Sequence, residues 1–287
     1  MNDVAISLYR NLTWWPRQIV AQRLRQQQAF PIGILFYHRI ADEHQTPWTM
    51  SCADFARQID WLLDNYEIIS LREAQRRISA TENPGPCIAI TFDDGYAENV
   101  DYAIPLLLDR QIPFSYFVTT DFVRTGEFFP HDLRLNLRLP PNTISQIREL
   151  ASAGVEIGAH TRTHIDCGKQ NKKTLYQEII GSKQDLEDWL GQSVDYFAFP
   201  FGLPDNTNQT AIDLIVEGSY AGFCSAYGAW NWTNSNAFHL KRIHADPGLE
   251  RFKNWLTYDP RKLHDRHQLP FELPSLTPVA SRHVEFV

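Results

Sequence analysis

Short apolar runs alternate with longer stretches of helical periodicity along most of the chain. The runs are rich in β-branched or aromatic residues and are bounded by Gly, Pro or polar turns, which predicts strands. These strands lie at 32–37, 87–92, 114–118, 155–158, 196–199 and 221–224. Helical patterns occupy 52–65, a segment that begins after Ser70, and 97–110, 143–153, 172–190, 208–218 and 249–257. This alternation indicates an α/β fold, a distorted (β/α) barrel with about seven parallel strands.

Three parts are predicted along the chain. Residues 1–30 form an N-terminal helical segment interrupted at Pro16, and residues 31–258 form the barrel domain. Four prolines in residues 259–287 predict an extended or partly disordered tail.

The N-terminal segment has an apolar face with interspersed arginines. The apolar residues are Ile6, Trp14, Trp15, Ile19, Val20 and Leu24, and the basic ones are Arg10, Arg17, Arg23 and Arg25. An apolar stripe is the ordinary signature of a helix that packs on its domain. Aromatic residues with arginines are also typical of a helix that lies on a membrane surface. Both interpretations stay open.

Composition excludes some classes of function. The 27 Lys and Arg against 34 Asp and Glu give a net charge of −7, without a basic block, which argues against nucleic-acid binding. The four cysteines form no CxxC pair, so neither a zinc ribbon nor a disulfide framework is indicated. No apolar run approaches the ~18 residues of a membrane span, and no signal-peptide core is visible. We therefore expect a cytoplasmic protein, with peripheral membrane contact through the N-terminal helices as the open alternative; no oligomeric state follows.

Reactive residues follow two of the predicted strands, and the carboxyl ends of strands are where such barrels carry out chemistry. Asp93 and Asp94 come directly after 87–92, and Gly95 lets the backbone turn. His160 and His164 follow 155–158, and on a helical turn their i, i+4 spacing would put both on one side. Two histidines, one carboxylate and an open position are typical of catalytic zinc.

A third motif, Phe199-Pro200-Phe201-Gly202, follows the strand at 196–199. Proline has no N–H and fixes the turn. The N–H of Phe201 is therefore a candidate donor to an oxyanion.

Taken together, Thr91-Phe92-Asp93-Asp94-Gly95-Tyr96, His160-Thr161-x-x-His164 and Phe199-Pro200-Phe201-Gly202 resemble the NodB-type polysaccharide deacetylases (carbohydrate esterase family four). Phe36-Tyr37-His38-Arg39 and Ile68-Ile69-Ser70-Leu71 resemble the bacterial branch associated with exopolysaccharide and lipopolysaccharide assembly. The resemblance covers about residues 31 to 257. It implies a deacetylase catalytic domain that hydrolyses the N-acetyl group of N-acetylhexosamine units and releases acetate.

The resemblance also implies roles for single residues. Asp93 would be the general base; Asp94, His160 and His164 would bind a divalent metal, usually Zn²⁺; and the Phe201 N–H would serve the oxyanion. Tyr96 is a further predicted substrate contact. Ala198 stands where many family members have the arginine that braces the catalytic carboxylate, which leaves open what orients Asp93.

The histidine that protonates the leaving amine is not marked by a motif, and His38 and His244 are the candidates. The acid must be charged near neutral pH. His38 follows an apolar strand directly and should emerge beside Asp93, whereas His244 lies in a segment with no clean alternation. We therefore assign the role to His38.

Residues 125–142 form a long insertion that could line the substrate site, with Phe129 and His131 as candidate contacts, or could pack externally on its own aromatic residues. Trp230 invites the same two interpretations. Two other functions compete with deacetylation of a glycan. One is a carbohydrate-binding pseudoenzyme; the other is a hydrolase of a non-sugar amide or an O-acetyl ester.

Overall fold

The computed structural model describes residues 3–263 and 267–274, and its centre is a curved parallel sheet. The strands are β1 (Ile32–Tyr37), β2 (Arg39–Ile40), β3 (Thr49–Met50), β4 (Glu67–Ile69), β5 (Cys87–Phe92), β6 (Phe114–Val118), β7 (Glu156–Ala159), β8 (Tyr196–Ala198), β9 (Gly222–Ser225), β10 (His239–Lys241) and β11 (Ile243–His244). The main sheet has the order β10-β9-β8-β7-β6-β5-β1-β11, every neighbouring pair is parallel, and β4 pairs with the first half of β5. The predicted parallel (β/α) barrel is confirmed.

The two edge strands of this sheet, β10 and β11, follow each other directly in the sequence. β10 pairs with β9 through His239–Lys241, and β11 pairs with β1 through Ile243–His244. Only Arg242 separates the two strands. Residues 239–244 therefore bridge both edges of the sheet, so the barrel is nearly closed. If β10 and β11 are counted as one strand, seven strands surround the barrel axis.

Helices surround the barrel at nearly the predicted positions. They are α1 (Asp3–Leu12), α2 (Trp14–Gln26), α3 (Cys52–Asn65), α4 (Leu71–Ser79), α5 (Ala103–Asp109), α6 (Thr120–Thr125), α7 (Pro130–Leu133), α8 (Ile144–Ser152), α9 (Lys172–Leu190), α10 (Gln209–Glu217) and α11 (Leu249–Leu256). Ser51 and Ser70 accept the N–H of the third residue of α3 and α4, which satisfies one free donor at each helix start. The helix predicted at 97–110 is instead a 3₁₀ turn followed by α5.

Trp230 lies in the core, which corrects its prediction as a substrate contact. Its side chain is 1% exposed and packs 5.4 Å from the Tyr258 ring, between centroids. A Cβ on Gly33 of β1 would lie 2.4 Å from Cδ1 of Ile88 and 2.9 Å from Cζ3 of Trp230. The ring and the strand thus fit only because residue 33 has no side chain.

The N-terminal helices pack on the domain, as one of the two interpretations predicted. The break between them is at Thr13; Pro16 lies in the first turn of α2, where a missing N–H costs little. Arg17 is buried and donates to Asn254 Oδ1 at 2.6 Å and to Asp259 Oδ2 at 3.0 Å. This contact ties α2 to the end of α11 and the start of the tail.

Part of the predicted tail also packs on the domain. Phe271 is buried, with its ring 5.8 Å from that of Phe223, and the Asn236 amide donates to the Pro274 carbonyl. Residues 264–266 and 275–287 lie outside the described residues. Within the described part, none of the helices is both long enough and apolar enough to span a bilayer.

The packing at Gly33 gives a prediction about stability. We expect Gly33→Ala to lower the free energy of unfolding by about 1–3 kcal/mol, because the added methyl group overpacks the contact with Ile88 and Trp230. Gly85→Ala is the matched control, since a Cβ there meets nothing within 4 Å. Urea denaturation of both variants tests this, and equal midpoints would contradict it.

Candidate metal and catalytic site

A pocket lies at the carboxyl ends of the barrel strands. It encloses about 610 Å³, within the range of about 300–1,000 Å³ common for small-ligand sites. The predicted residues His38, Asp93, Asp94, His160, His131, His164 and Phe201 line it, together with Phe36, Trp48, Pro130, Arg134, Thr163, Asp166, Phe199, Ala226 and Arg242. We call it the strand-end pocket.

The turn after β5 sends two neighbouring carboxylates to different partners. Asp93 continues the strand hydrogen bonding by donating its N–H to Tyr37 O at 2.9 Å. Asp94 and Gly95 then adopt φ values of 74° and 88°, which turn the chain out of the sheet. As a result, the Asp93 carboxylate faces Arg242, and that of Asp94 faces the two histidines.

The histidines come together by a loop, not by a helical turn as predicted. His160 follows β7 directly, and Thr161 and His164 have left-handed φ values of 62° and 55°. The Thr161 hydroxyl accepts the His164 N–H at 2.9 Å, and the Glu178 carboxylate accepts two further N–H groups of the loop. These polar contacts hold His164 over the strand end.

Asp94, His160 and His164 are arranged as ligands of one small cation. Asp94 Oδ1 lies 3.4 Å from His160 Nε2 and 3.2 Å from His164 Nε2. Tetrahedral zinc with ligands at about 2.0–2.1 Å separates those ligands by about 3.3 Å, so the spacing fits. His160 Nδ1 lies 2.8 Å from Ala198 O, a contact that orients the ring with Nε2 toward Asp94. Asp94 Oδ1 is buried without a hydrogen-bond donor, as expected of a metal ligand.

Ionisation of Asp94 matches this role. Burial favours its neutral acid, but the nearby His164 and His160 outweigh burial and hold the pKa of Asp94 well below its usual value. The group is therefore a carboxylate, which is the form that binds a metal.

Arg242 orients Asp93, a role that the sequence did not reveal. Its Nη1 and Nη2 donate to the two Asp93 carboxylate oxygens at 2.6 and 2.8 Å. Nη1 also donates to Thr91 Oγ1 and Nε to Ser225 O, both at 3.1 Å, and the guanidinium lies 4.7 Å from the Phe36 ring centroid. Although burial favours the neutral form of Asp93, Arg242 outweighs it and lowers the pKa. The ion pair answers the question raised by Ala198.

His38 and His244 occupy different surroundings. His38 lines the strand-end pocket, and its Nδ1 is buried with no hydrogen-bond partner among the described residues. His244 is outside the lining, partly exposed, and its Nδ1 lies 2.7 Å from Asp246 Oδ1. Burial lowers the pKa of His38 to about 4, against the opposing effect of Asp94 and Asp93. The ring is therefore neutral near pH 7, contrary to the expected charged acid.

Phe201 presents both a ring and a free backbone donor to the pocket. It has φ = 61°, its ring is 5.1 Å from that of His164, and no described residue accepts its N–H. Gly202 follows with φ = 63°, and a Cβ there would lie 2.7 Å from the Ala226 nitrogen. The turn thus needs glycine, and it leaves the Phe201 N–H unpaired.

Two other predicted substrate contacts are buried behind the pocket. Tyr96 and Phe129 are both fully buried and pack against each other at 5.1 Å between ring centroids. The Tyr96 hydroxyl lies 2.8 Å from His131 Nε2 and donates to Asp132 Oδ2 at 2.9 Å. They support the insertion that carries His131, and neither lines the strand-end pocket.

Trp48 and Arg134 are among the pocket residues that were not predicted. Trp48 lies 4.7 Å from His131 between ring centroids, and Arg134 is exposed with no acidic partner among the described residues. Neither belongs to a recognisable motif: Trp48 lies in the loop between β2 and β3, and Arg134 directly follows α7 in the insertion. Arg242 left one signal: with Lys241, it is one of two charges between the apolar residues Leu240 and Ile243.

Comparison with known proteins agrees with this architecture. The polysaccharide deacetylase family model matches residues 80–215. A putative polysaccharide deacetylase from Bacillus subtilis is 24% identical over 228 residues, 79% of this chain and 75% of the relative. A poly-β-1,6-N-acetyl-D-glucosamine N-deacetylase from Staphylococcus aureus is 24% identical over 206 residues, 68% of this chain and 67% of the relative.

A solved structure shares the fold. The Streptococcus pyogenes deacetylase PplD, determined in complex with acetate, matches with a TM-score of 0.68 at 21% identity. The match covers 80% of this chain and 99% of the PplD chain. The predicted resemblance to the NodB-type polysaccharide deacetylases is confirmed by these matches, which support the bacterial exopolysaccharide branch and indicate a hydrolase that acts on amide bonds.

Proposed function

We propose that this protein uses a divalent metal, zinc by the chemistry of its ligands, to remove the N-acetyl group from N-acetylhexosamine units of a glycan or glycan precursor. The observation that carries the proposal is the buried cluster of Asp94, His160 and His164 beside an Asp93 held by Arg242. The Staphylococcus aureus relative supports the choice of sugar, since its name specifies N-acetylglucosamine units.

Each residue has one step in the proposed reaction. A zinc ion held by the three ligands would supply Lewis acidity to the acetamido carbonyl and to water. Asp93 takes a proton from the attacking water, whose oxygen forms a bond to the carbonyl carbon. The Phe201 N–H stabilises the negative oxygen that results. The C–N bond then breaks as the nitrogen gains a proton from His38, which yields acetate and a free amine.

The low pKa of His38 bears on the source of the proton that the leaving nitrogen gains. A ring that is neutral at rest has no spare proton to give, so His38 must first receive the one that Asp93 removed from water. The carboxylate and the imidazole line the same pocket, which supports such a transfer. No proton from bulk solvent is then needed in the cycle.

One prediction of this proposal concerns metal binding. We expect His160→Ala, His164→Ala and Asp94→Ala each to lose most bound zinc and most activity, because three protein ligands leave no spare one. His131→Ala is the matched control, since its ring lies 5.4 Å from that of His164 outside the cluster. Zinc content by mass spectrometry after dialysis tests this. Full retention in the three ligand variants would refute the assignment.

The function itself is tested by acetate release and by mass spectrometry of defined oligomers of β-1,4- and β-1,6-linked N-acetylglucosamine. We expect loss of one acetyl mass per turnover with a new free amine, and a fall of about 10²–10⁴ in Asp93→Asn, which keeps its metal.

Two outcomes would contradict the proposed deacetylation of a glycan. Glycan binding without acetate release would identify a pseudoenzyme. Release from O-acetylated or non-sugar substrates alone would change the substrate class.

Arg242→Met should shift the pH dependence. Without the guanidinium, burial raises the pKa of Asp93, so a higher pH is needed to ionise the base, and the acid limb of kcat/KM moves upward. Turnover at neutral pH should fall about 10²-fold through misplacement. Loss of one partner of a buried pair also costs about 3–5 kcal/mol of stability, so rates are expressed per folded, metal-loaded enzyme.

Arg242→Lys serves as the comparison variant for this test. Lysine keeps the charge but not the two-point contact. We expect it to shift the acid limb less than Arg242→Met while still lowering turnover. An unshifted acid limb in Arg242→Met would show that the pair does not set the ionisation of Asp93.

His38→Asn should stay folded and metallated while turnover falls about 10²–10⁴. His244→Asn should keep nearly normal turnover, since that ring lies outside the pocket lining. Because the pKa of resting His38 is about 4, the wild-type enzyme should show no loss of kcat/KM between pH 6 and 8 from deprotonation of this group. The reverse pattern, with only His244→Asn impaired, would exchange the two roles.

A further inference from the structure

The outer face of the N-terminal helices carries an apolar stripe that the domain does not cover. Val4, Leu8, Leu12, Trp15 and Ile19 are exposed to 77%, 59%, 74%, 71% and 48%. With Trp14, they make up six of the fifteen large apolar side chains that are exposed in the described part of the chain. We call Val4, Leu8, Leu12, Trp15 and Ile19 the outer stripe.

Helix geometry places the outer stripe on one face of each helix. At about 100° per residue, Val4, Leu8 and Leu12 of α1 fall within about 80° of one another, and Trp15 and Ile19 of α2 within about 40°. The buried residues Ile6, Arg17 and Leu24 fall on the opposite side. The segment therefore has two apolar faces, of which only one is used for packing.

Charge indicates what covers the other face. Residues 3–26 contain four arginines and one aspartate, a net charge of +3, which leaves −10 for the rest of a chain whose total is −7. Arg10 and Arg17 are paired with Glu250 and Asp259. Arg23 and Arg25 are exposed and have no acidic partner among the described residues. A basic apolar ridge on an acidic protein complements an anionic surface.

We propose that the outer stripe docks on the surface of an anionic lipid bilayer, with α1 and α2 lying in the plane of the interface. The apolar side chains enter the boundary between headgroups and acyl chains, where Trp is favoured, and the two arginines contact the headgroups. A second copy of the chain is the less favourable occupant, since residues 3–26 of that copy offer one aspartate against four arginines.

The direction of the helices relates this surface to the strand-end pocket. The Asp3 carboxylate at the start of α1 lies beside Gly248, four residues after His244, whose ring is 6.0 Å from that of His38. The end of α2 leads through Ala29 to the amino end of β1. The two helices, about 15 and 20 Å long, thus run along the barrel wall from the rim of the pocket to its base. Docking by this wall leaves the pocket at the membrane edge, open to the aqueous side.

The test is flotation of the full-length protein with vesicles of phosphatidylcholine alone or with about one third phosphatidylglycerol. We expect binding to the anionic vesicles that weakens with salt. The double variant Leu12→Ser with Trp15→Ser should bind about tenfold or more weakly, because it removes two of the groups that enter the bilayer. Arg23→Gln and Arg25→Gln should each weaken binding to anionic vesicles about fivefold and leave neutral vesicles unaffected.

Leu63→Ser is the matched control, a substitution at an exposed apolar residue of α3. It should bind like the wild type. All variants should keep the wild-type melting temperature and activity on soluble substrate, so a failure of docking is distinguishable from a failure of the proposed reaction.

Three results would overturn the proposal. These are no flotation of the wild type, equal flotation of wild type and double variant, and a concentration-dependent dimer that the double variant abolishes without any vesicle binding. The last would assign the stripe to a second copy of the chain.

Discussion

The buried ion pair of Asp93 and Arg242 is the interaction on which the site depends. Either group alone would be costly to bury in its charged form, so each is ionised because the other is present. Arg242 is also the residue between β10 and β11, where one segment bridges the two edges of the barrel. The segment that closes the barrel thus also orients the proposed base. A one-residue slip of that segment would turn the guanidinium away from the pocket.

The turn after β5 solves a second electrostatic problem. Two adjacent carboxylates at one site would ordinarily raise the pKa of one another. Here the left-handed conformations of Asp94 and Gly95 direct the first carboxylate to a guanidinium and the second to two imidazoles. Against the effect of burial, Arg242 is the main group that lowers the pKa of Asp93, and His164 and His160 lower that of Asp94, so the two groups can hold different roles side by side.

The sequence predicted elements more reliably than side-chain directions. Buried parallel strands and capped helices leave local signals, and these gave the barrel and put the proposed ligands at its strand ends. The contact of Arg242 with Asp93 spans 149 positions and leaves no local pattern. Trp230 was misassigned because an aromatic residue in a loop-like segment looks the same whether it faces a ligand or fills the space above a glycine. The i, i+4 histidines were mistaken for a helical pair because spacing alone does not report φ.

Tyr96 shows why a motif residue can matter without touching a substrate. Its hydroxyl is shared between His131 and Asp132 of the insertion, while its backbone follows directly on the Asp93-Asp94-Gly95 turn. The Pro140 carbonyl accepts the next backbone N–H, that of Ala97, so the middle and the last residues of the insertion are both hydrogen-bonded to the segment that follows this turn. The wall that carries His131 therefore moves with the residues proposed to hold the metal. Sequence changes within the exposed part of the insertion can reshape the wall, whereas loss of this hydroxyl would uncouple the wall from the metal-binding turn.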